Sequence, residues 1–155
     1  IKKEVTAGAI VKIGKNGELS VVDLEDVKPG SAIFTNGVST HSKYALDQAR
    51  AIQQDTQKEL YLVYNGTDGK ETDFKNALNN AFGKSGNEKA IDTIKNLLLG
   101  DKVNLLLGHS QGGLIQSLAL KSLEETNPKF NFRSVELFTF GTPIHQDLLP
   151  KDFIN

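Results

Sequence analysis

The sequence predicts an α/β domain in which a mostly parallel, doubly wound sheet follows an N-terminal β-hairpin. Three observations predict this fold class. A turn signal separates two short β-branched runs near the N-terminus, later apolar runs alternate with segments of helical periodicity, and one of these runs is apolar almost throughout. Such alternation favours parallel strands joined by right-handed crossovers, with helices on both faces of the sheet.

The hairpin is predicted from two short segments and the residues between them. Residues 9–13 and 18–23 alternate in polarity or carry β-branched side chains, and Asn16 and Gly17 lie between them. Asn-Gly supplies the two positive φ angles of a type I′ turn, so the two segments are predicted to pair as antiparallel strands. Pro29 and its neighbours then break the chain.

The remaining elements are predicted from apolar patterning. Each predicted strand is a short apolar run, and each predicted helix repeats apolar residues every three or four positions. In chain order they are a strand at 31–35, a helix at 43–56, a strand at 60–64, helices at 73–82 and 88–99, a strand at 103–107, a helix at 113–125 and a strand at 135–140. We therefore expect a single domain over residues 1–155, with a hairpin region at 1–30 and a parallel core at 31–155.

The composition excludes several classes of function. The chain has 18 Lys and Arg against 19 Asp and Glu, a formal net charge of −1, so nothing electrostatic favours nucleic acid or an anionic membrane as a partner. It has no cysteine, which excludes disulfides and thiolate metal sites. No apolar stretch approaches the roughly 18–20 residues of a transmembrane segment. Because methionine is absent even at position 1, we expect the chain to be part of a larger protein.

The motif that predicts chemistry lies between a strand and a helix. Residues 108–112 have the sequence GHSQG, which fits G-x-S-x-G, and they directly follow the apolar strand at 103–107. A strand, this pattern and a helix in succession are typical of a nucleophile elbow, in which a tight turn exposes the serine hydroxyl. Larger side chains at Gly108 and Gly112 would collide with the neighbouring strand and helix. Ser110 is therefore the predicted nucleophile.

A second loop is predicted to face this serine. In a doubly wound sheet, ligands bind beyond the carboxyl ends of the strands, where the strand order reverses. If the strand at 31–35 is central and the next two predicted strands lie on its two sides, the loop at Gly37 and Val38 faces Ser110. The backbone N–H of Gln111 and that of Gly37 or Val38 are then the predicted oxyanion donors. The alternative is that this loop is only a turn.

These segments resemble a known family. Residues 108–113 (GHSQGG) after a strand, and residues 138–143 (FTFGTP) later, resemble the lipase and esterase branch of the α/β-hydrolase superfamily, and the resemblance covers residues 31–145. Residues 34–38 and 63–67 are also similar to lipase-like toxin domains at the C-termini of exported bacterial proteins, from polymorphic or contact-dependent inhibition systems.

The resemblance implies a fold and a function. It implies an α/β-hydrolase-like sheet and cleavage of carboxylic esters, lipid esters among them, through an acyl-Ser110 intermediate that needs no metal or organic cofactor. The similarity to toxin domains implies export within a larger bacterial protein and a cognate immunity or inhibitor protein as a partner.

The catalytic acid and base are less determined than the nucleophile. Hydrolases of this fold place them after the serine, in the order Ser, Asp or Glu, His. Here only His145 follows Ser110 among the histidines, and Asp147 comes after it, so a triad with these two residues would have the reversed order. His41 is a second candidate base. Three alternatives stay open: a rearranged triad with His145, an acid and a histidine beyond Asn155, and an incomplete hydrolase scaffold that serves as a binding domain.

Overall fold

A computed structural model describes residues 5–37, 41–66, 88–141, 144, 146–151 and 153. Six strands and three α-helices lie within these residues. The strands are β1 (Ile10–Ile13), β2 (Leu19–Val22), β3 (Ser31–Thr35), β4 (Leu60–Val63), β5 (Val103–His109) and β6 (Glu136–Phe140). The helices are α1 (Ser42–Thr56), α2 (Glu88–Leu99) and α3 (Gln111–Thr126), and short 3₁₀ turns lie at Leu24–Asp26, Phe132–Ser134 and Gln146–Leu148. The predicted helix at 73–82 lies outside the described residues.

The six strands form one mixed sheet in the order β2-β1-β4-β3-β5-β6. Strand β1 is antiparallel to β2 and β4, whereas β3 pairs in parallel with both β4 and β5, and β5 pairs in parallel with β6. From β3 the chain moves to β4 on one side and later returns to β5 on the other. The strand order therefore reverses at β3, which confirms the predicted central position of residues 31–35.

The hairpin is present, but the predicted type I′ turn is wrong. Gly17 has a φ of 83°, whereas Asn16 is not among the residues with positive φ. The N–H of Gly14 donates to the Glu18 carbonyl at 2.9 Å, and the N–H of Gly17 donates to the Gly14 carbonyl at 2.9 Å. Pairing therefore continues to Gly14 and Glu18 and leaves a three-residue loop, which closes with a turn followed by one left-handed glycine.

Helices cover both faces of the sheet, as predicted, but unevenly. Helices α2 and α3 pack on one face, where Ile33, Leu106 and Leu137 are buried with residues of both helices. Helix α1 packs on the other face over β1, β3 and β4. Strand β5 is buried mainly on the face of α2 and α3, because Leu106 on that face is buried whereas Leu105 and Leu107 on the opposite face are partly exposed. On that side Phe138 and Phe140 are about half exposed.

The junction between β5 and α3 is tighter than predicted. Strand β5 continues beyond Leu107 through Gly108 and His109, and α3 begins at Gln111 rather than at 113. A single residue, Ser110, therefore joins strand and helix. None of the helices in the described part of the chain is both long enough and apolar enough to cross a membrane.

Candidate active site

Ser110 has an uncommon backbone conformation. Its φ is 55° and its ψ is −124°, which lies outside the left-handed helical region that non-glycine residues with positive φ usually adopt. Its N–H donates to the Phe140 carbonyl at 2.7 Å, and its own carbonyl accepts the N–H of Gly113 at 3.0 Å. Such a conformation costs about 1–3 kcal/mol and persists only where the surrounding structure imposes it. Ser110 remains partly exposed.

Two glycines of the motif allow the backbone segments to approach closely. A Cβ at Gly108 would lie 2.4 Å from the Cα of Gly113, and a Cβ at Gly112 would lie 2.0 Å from the Thr35 carbonyl oxygen. Both contacts are with backbone atoms, so neither can be relieved by a side-chain movement. The first turn of α3 therefore packs directly on the end of β3 and on β5. The predicted steric reason for Gly108 and Gly112 is thus present in the structure.

The structure places Gly37 next to Ser110. A Cβ at Gly37 would lie 3.0 Å from the Ser110 Cβ and 3.1 Å from the His109 carbonyl oxygen. Gly37 after β3 and the elbow after β5 thus lie on two sides of one site at the carboxyl edge of the sheet. The first turn of α3 adds its N–H groups and the positive end of the helix dipole. Val38, the alternative donor, lies outside the described residues.

A cluster of buried amides underlies this site. It consists of Asn36 after β3, Asn65 after β4 and Gln111 at the start of α3, which we call the amide cluster; its members are 0%, 0% and 4% exposed. The Asn65 N–H donates to the Asn36 Oδ1 at 2.8 Å, and the Asn36 Nδ2 donates to the Asn65 carbonyl at 3.1 Å. The Asn65 Nδ2 donates to the Gln111 Oε1 at 2.7 Å. The cluster therefore links the ends of two strands to the elbow.

A second buried amide fixes the elbow from the core side. Gln116, on the next turn of α3, is fully buried, and its Nε2 donates to the Thr35 Oγ1 at 3.0 Å and to the Leu107 carbonyl at 2.8 Å. These bonds connect α3 to β3 and to β5 at once. Sequence reasoning missed both amide features. The available signal was an Asn-Gly pair after each of two successive strands, which in a parallel sheet places both asparagines at one edge.

An apolar groove lies beside the elbow on the face covered by α1. Its volume is about 280 Å³, and it is lined by Phe34, Gln48, Ala51, Ile52, His109 and Phe140. The His109 Nδ1 is buried and has no hydrogen-bond partner among the described residues. A Cβ at Gly37 would lie 3.3 Å from this nitrogen, so the imidazole packs against Gly37. Because His109 lines the groove and directly precedes Ser110 in the chain, the groove is adjacent to the elbow.

Among the candidate acid and bases, the structure places Asp147 away from Ser110. Asp147 is exposed in the turn Gln146–Leu148 and borders the same surface cavity as Lys121. Lys121 lies almost three helical turns after Gln111, the first residue of α3. At a rise of 1.5 Å per residue, this places Lys121 roughly 15 Å from Gln111 along the helix axis. His41 is an exposed residue at the N-terminus of α1. His145 lies outside the described residues.

Comparison with known proteins gives no relative from which a function could be transferred. No family model matches the chain, and neither a curated protein nor a solved structure matches it.

Proposed function

We propose that this protein is a serine hydrolase that cleaves carboxylic esters through an acyl-Ser110 intermediate. The observation that carries the proposal is the strained conformation of Ser110 between β5 and α3, imposed by close backbone contacts at Gly108 and Gly112. Strain of this kind concentrates at functional sites. The reversal of strand order at β3 and the position of the serine at the carboxyl edge also support an α/β-hydrolase-like fold.

In the proposed reaction, the Ser110 Oγ forms a bond to the ester carbonyl carbon while a base accepts its proton. The carbonyl π electrons move to the oxygen, and the resulting oxyanion is stabilised by backbone N–H groups of Gln111 and Gly37. Collapse of this intermediate breaks the bond to the alcohol, which leaves with the proton. Water then repeats the sequence on the acyl-enzyme and releases the acid.

The groove supports esters with an apolar acyl group as substrates. It is lined by two phenylalanines, Phe34 and Phe140, together with aliphatic residues of α1, and it contains His109, the neighbour of Ser110. Burial of apolar surface contributes about 25 cal/mol per Å², so an acyl chain would gain affinity there. The role as an exported toxin stays a prediction from the resemblance.

Ester turnover tests the proposal. We expect the wild-type protein to hydrolyse p-nitrophenyl acetate and p-nitrophenyl octanoate, and we expect Ser110→Ala to lower kcat by a factor on the order of 10⁶ because the nucleophile is lost. Ser134→Ala is the matched control, since Ser134 is an exposed serine whose hydroxyl bonds only to the nearby Asn131 carbonyl among the described residues. Turnover by Ser110→Ala within tenfold of wild type, a factor far smaller than loss of a nucleophile gives, would exclude Ser110. A folded but inactive wild-type protein would contradict the proposal for residues 1–155 and favour the alternatives in which these residues lack the catalytic acid and base.

The variant His145→Ala tests the base that the sequence predicts. A nucleophile and its base act as one unit, so a loss of turnover as complete as in Ser110→Ala would assign the base to His145. Unchanged turnover would exclude His145 from the reaction.

A further inference from the structure

The amide cluster connects the two sides of the proposed oxyanion site. We propose that Asn36 and Asn65 are positioning residues that set the distance between Gly37 and the first turn of α3. This inference rests on the proposed function, because the distance matters only if N–H groups from both sides bind one oxyanion. It adds a role for residues that lie beneath the site and do not contact the substrate.

The first link is made by Asn36. Its side-chain amide accepts from the Asn65 N–H at 2.8 Å and donates to the Asn65 carbonyl at 3.1 Å, so it pairs both backbone groups of Asn65. The same Nδ2 donates to the Gly37 carbonyl at 3.2 Å. An amide nitrogen has two hydrogens, so both donations are available to it. The position of Gly37 is thereby tied to the end of β4.

The second link is made by Asn65. Its Nδ2 donates to the Gln111 Oε1 at 2.7 Å and lies 3.4 Å from the Asn36 carbonyl oxygen. Rotating the amide by 180° would place its oxygen against both of these acceptors, so the hydrogen bonds fix its orientation. The Asn65 Oδ1 is buried without a partner among the described residues, which is costly for a polar atom. The side-chain amide is thus held by its nitrogen alone, and the shorter of its two bonds is the one to Gln111 at the elbow.

The position of this link explains why it acts on catalysis. The close contact at Gly112 fixes α3 against β3, and the bond from the Ser110 N–H to Phe140 fixes the elbow against the end of β6. The Asn65–Gln111 bond restrains the first turn of α3 from β4. A displacement of about 1 Å can cost on the order of 10²-fold in rate, so a loosened first turn would weaken oxyanion binding while the core stays intact.

Two variants break this bond from opposite sides. Asn65→Leu removes the donor and Gln111→Met removes the acceptor, and both keep the backbone N–H groups and approximate side-chain size. We expect each to lower kcat for p-nitrophenyl acetate by roughly 10–100-fold while KM changes by less than about twofold. Affinity for a trifluoromethyl ketone, which forms an oxyanion with the serine, should fall by the same factor. The double variant should lose no more activity than the more impaired single variant, because both changes remove the same Asn65–Gln111 bond.

The control is a buried amide outside the site. Gln53 on α1 is 1% exposed, and its Nε2 donates to the Lys15 carbonyl at 2.9 Å. Gln53→Leu should lower Tm and leave kcat and ketone affinity unchanged. If Asn65→Leu and Gln111→Met likewise lower only Tm, the amide cluster is merely structural and the inference is wrong. If Asn65→Leu does not fold, Gln111→Met decides the question, because it leaves the bonds between Asn36 and Asn65 in place.

Failure of this inference is distinguishable from failure of the proposed function. An active wild-type protein with unchanged variants contradicts only the positioning role. A folded wild-type protein without turnover contradicts the proposed function and the positioning role together.

Discussion

Ser110 and Gln57 share a positive φ but are held in that conformation by different means. Gln57 ends α1 with φ 59° and ψ 21°, is exposed, and bonds to Gln53 and Gln54 one turn earlier. Ser110 has φ 55° but ψ −124°; its own N–H bonds to the end of β6, and its neighbour Gly112 packs against β3. The left-handed residue that ends a helix is a local feature, whereas the conformation of Ser110 is imposed by tertiary contacts.

This difference indicates where the fold stores strain. At Gln57 the chain adopts a region of φ and ψ that many helices use to end. At Ser110 about 1–3 kcal/mol of backbone strain is compensated by packing at Gly108 and Gly112 and by the buried amides. The predictions below disrupt these contacts or separate strain from chemistry, and they are ordered by the expected size of the effect on stability.

The largest loss of stability is expected from Gly112→Val. Its Cβ would lie 2.0 Å from the Thr35 carbonyl oxygen, so α3 must move away from β3 and the free energy of unfolding should fall by more than about 4 kcal/mol. Thermal denaturation followed by circular dichroism measures this. Gly100→Ala is the control, because the nearest atom to its Cβ would lie 3.3 Å away. An unchanged Tm for Gly112→Val would show that the turn is not tight.

Ser110→Gly is expected to separate strain from chemistry. Glycine adopts positive φ without steric cost, whereas Ser110→Ala removes the hydroxyl but keeps the strain. We therefore expect Ser110→Gly to be more stable than Ser110→Ala by about 1–2 kcal/mol, with both variants inactive. Urea denaturation gives the two free energies. At position 57, the variant Gln57→Gly should be more stable than Gln57→Ala by at most about 1 kcal/mol. Equal stability of the two Ser110 variants would mean that the elbow is unstrained.

A small, pH-dependent loss of stability is expected when Glu124, which lies away from the elbow, is changed. The N–H of Lys151 donates to the Glu124 Oε2 at 2.8 Å, and this bond holds the pKa of Glu124 below its ordinary 4.5. Partial burial acts in the opposite direction, and the Lys121 ammonium group lowers the pKa further. A lowered folded-state pKa stabilises the protein above pH 4.5, and this contribution is lost as the pH falls through the lowered value.

Glu124→Gln should therefore reduce stability at pH 7 by less than about 1 kcal/mol, because solvent screens a partly exposed pair. Denaturation at pH 7 and pH 3 measures the difference, which should shrink at the lower pH. Ester turnover should be unaffected. A difference that grows at pH 3 would contradict the assignment.

A neutral result is expected for Asp147→Asn. Asp147 borders the cavity at Lys121, far along α3 from Ser110, so turnover should stay within about twofold of wild type. A loss of turnover comparable to that of Ser110→Ala would restore Asp147 as the catalytic acid.

The parts of the structure that the sequence predicts are those with a local signal. Periodicity predicted helix 88–99 with the bounds that α2 has, and the G-x-S-x-G pattern between apolar strand and helix predicted the elbow. Local signals were less reliable at turns. The Asn-Gly pair at Asn16 and Gly17 predicted a type I′ turn, but only Gly17 of the two has a positive φ.

The amide cluster had no such local signal. Asn36, Asn65 and Gln111 are far apart in sequence, and each lies after a different strand. Their hydrogen bonds depend on which strands pair and on how closely α3 approaches β3. The two Asn-Gly pairs could have placed both asparagines at one edge of the sheet, but periodicity and turn chemistry do not encode how closely α3 approaches them, so the hydrogen bonds could be recognised only once the strands were in register.

The most direct test of whether the elbow activates Ser110 is to map the adduct formed with a fluorophosphonate probe, which reacts with activated serine hydroxyls. Trypsin should release residues 103–121 as one peptide that contains Ser110 and the buried Ser117, and fragmentation distinguishes the two. We predict one adduct per wild-type molecule, located on Ser110, and none on the Ser110→Ala variant. A folded wild-type protein with no adduct, or with adducts spread over exposed serines such as Ser134, would contradict the assignment of Ser110 as an activated nucleophile.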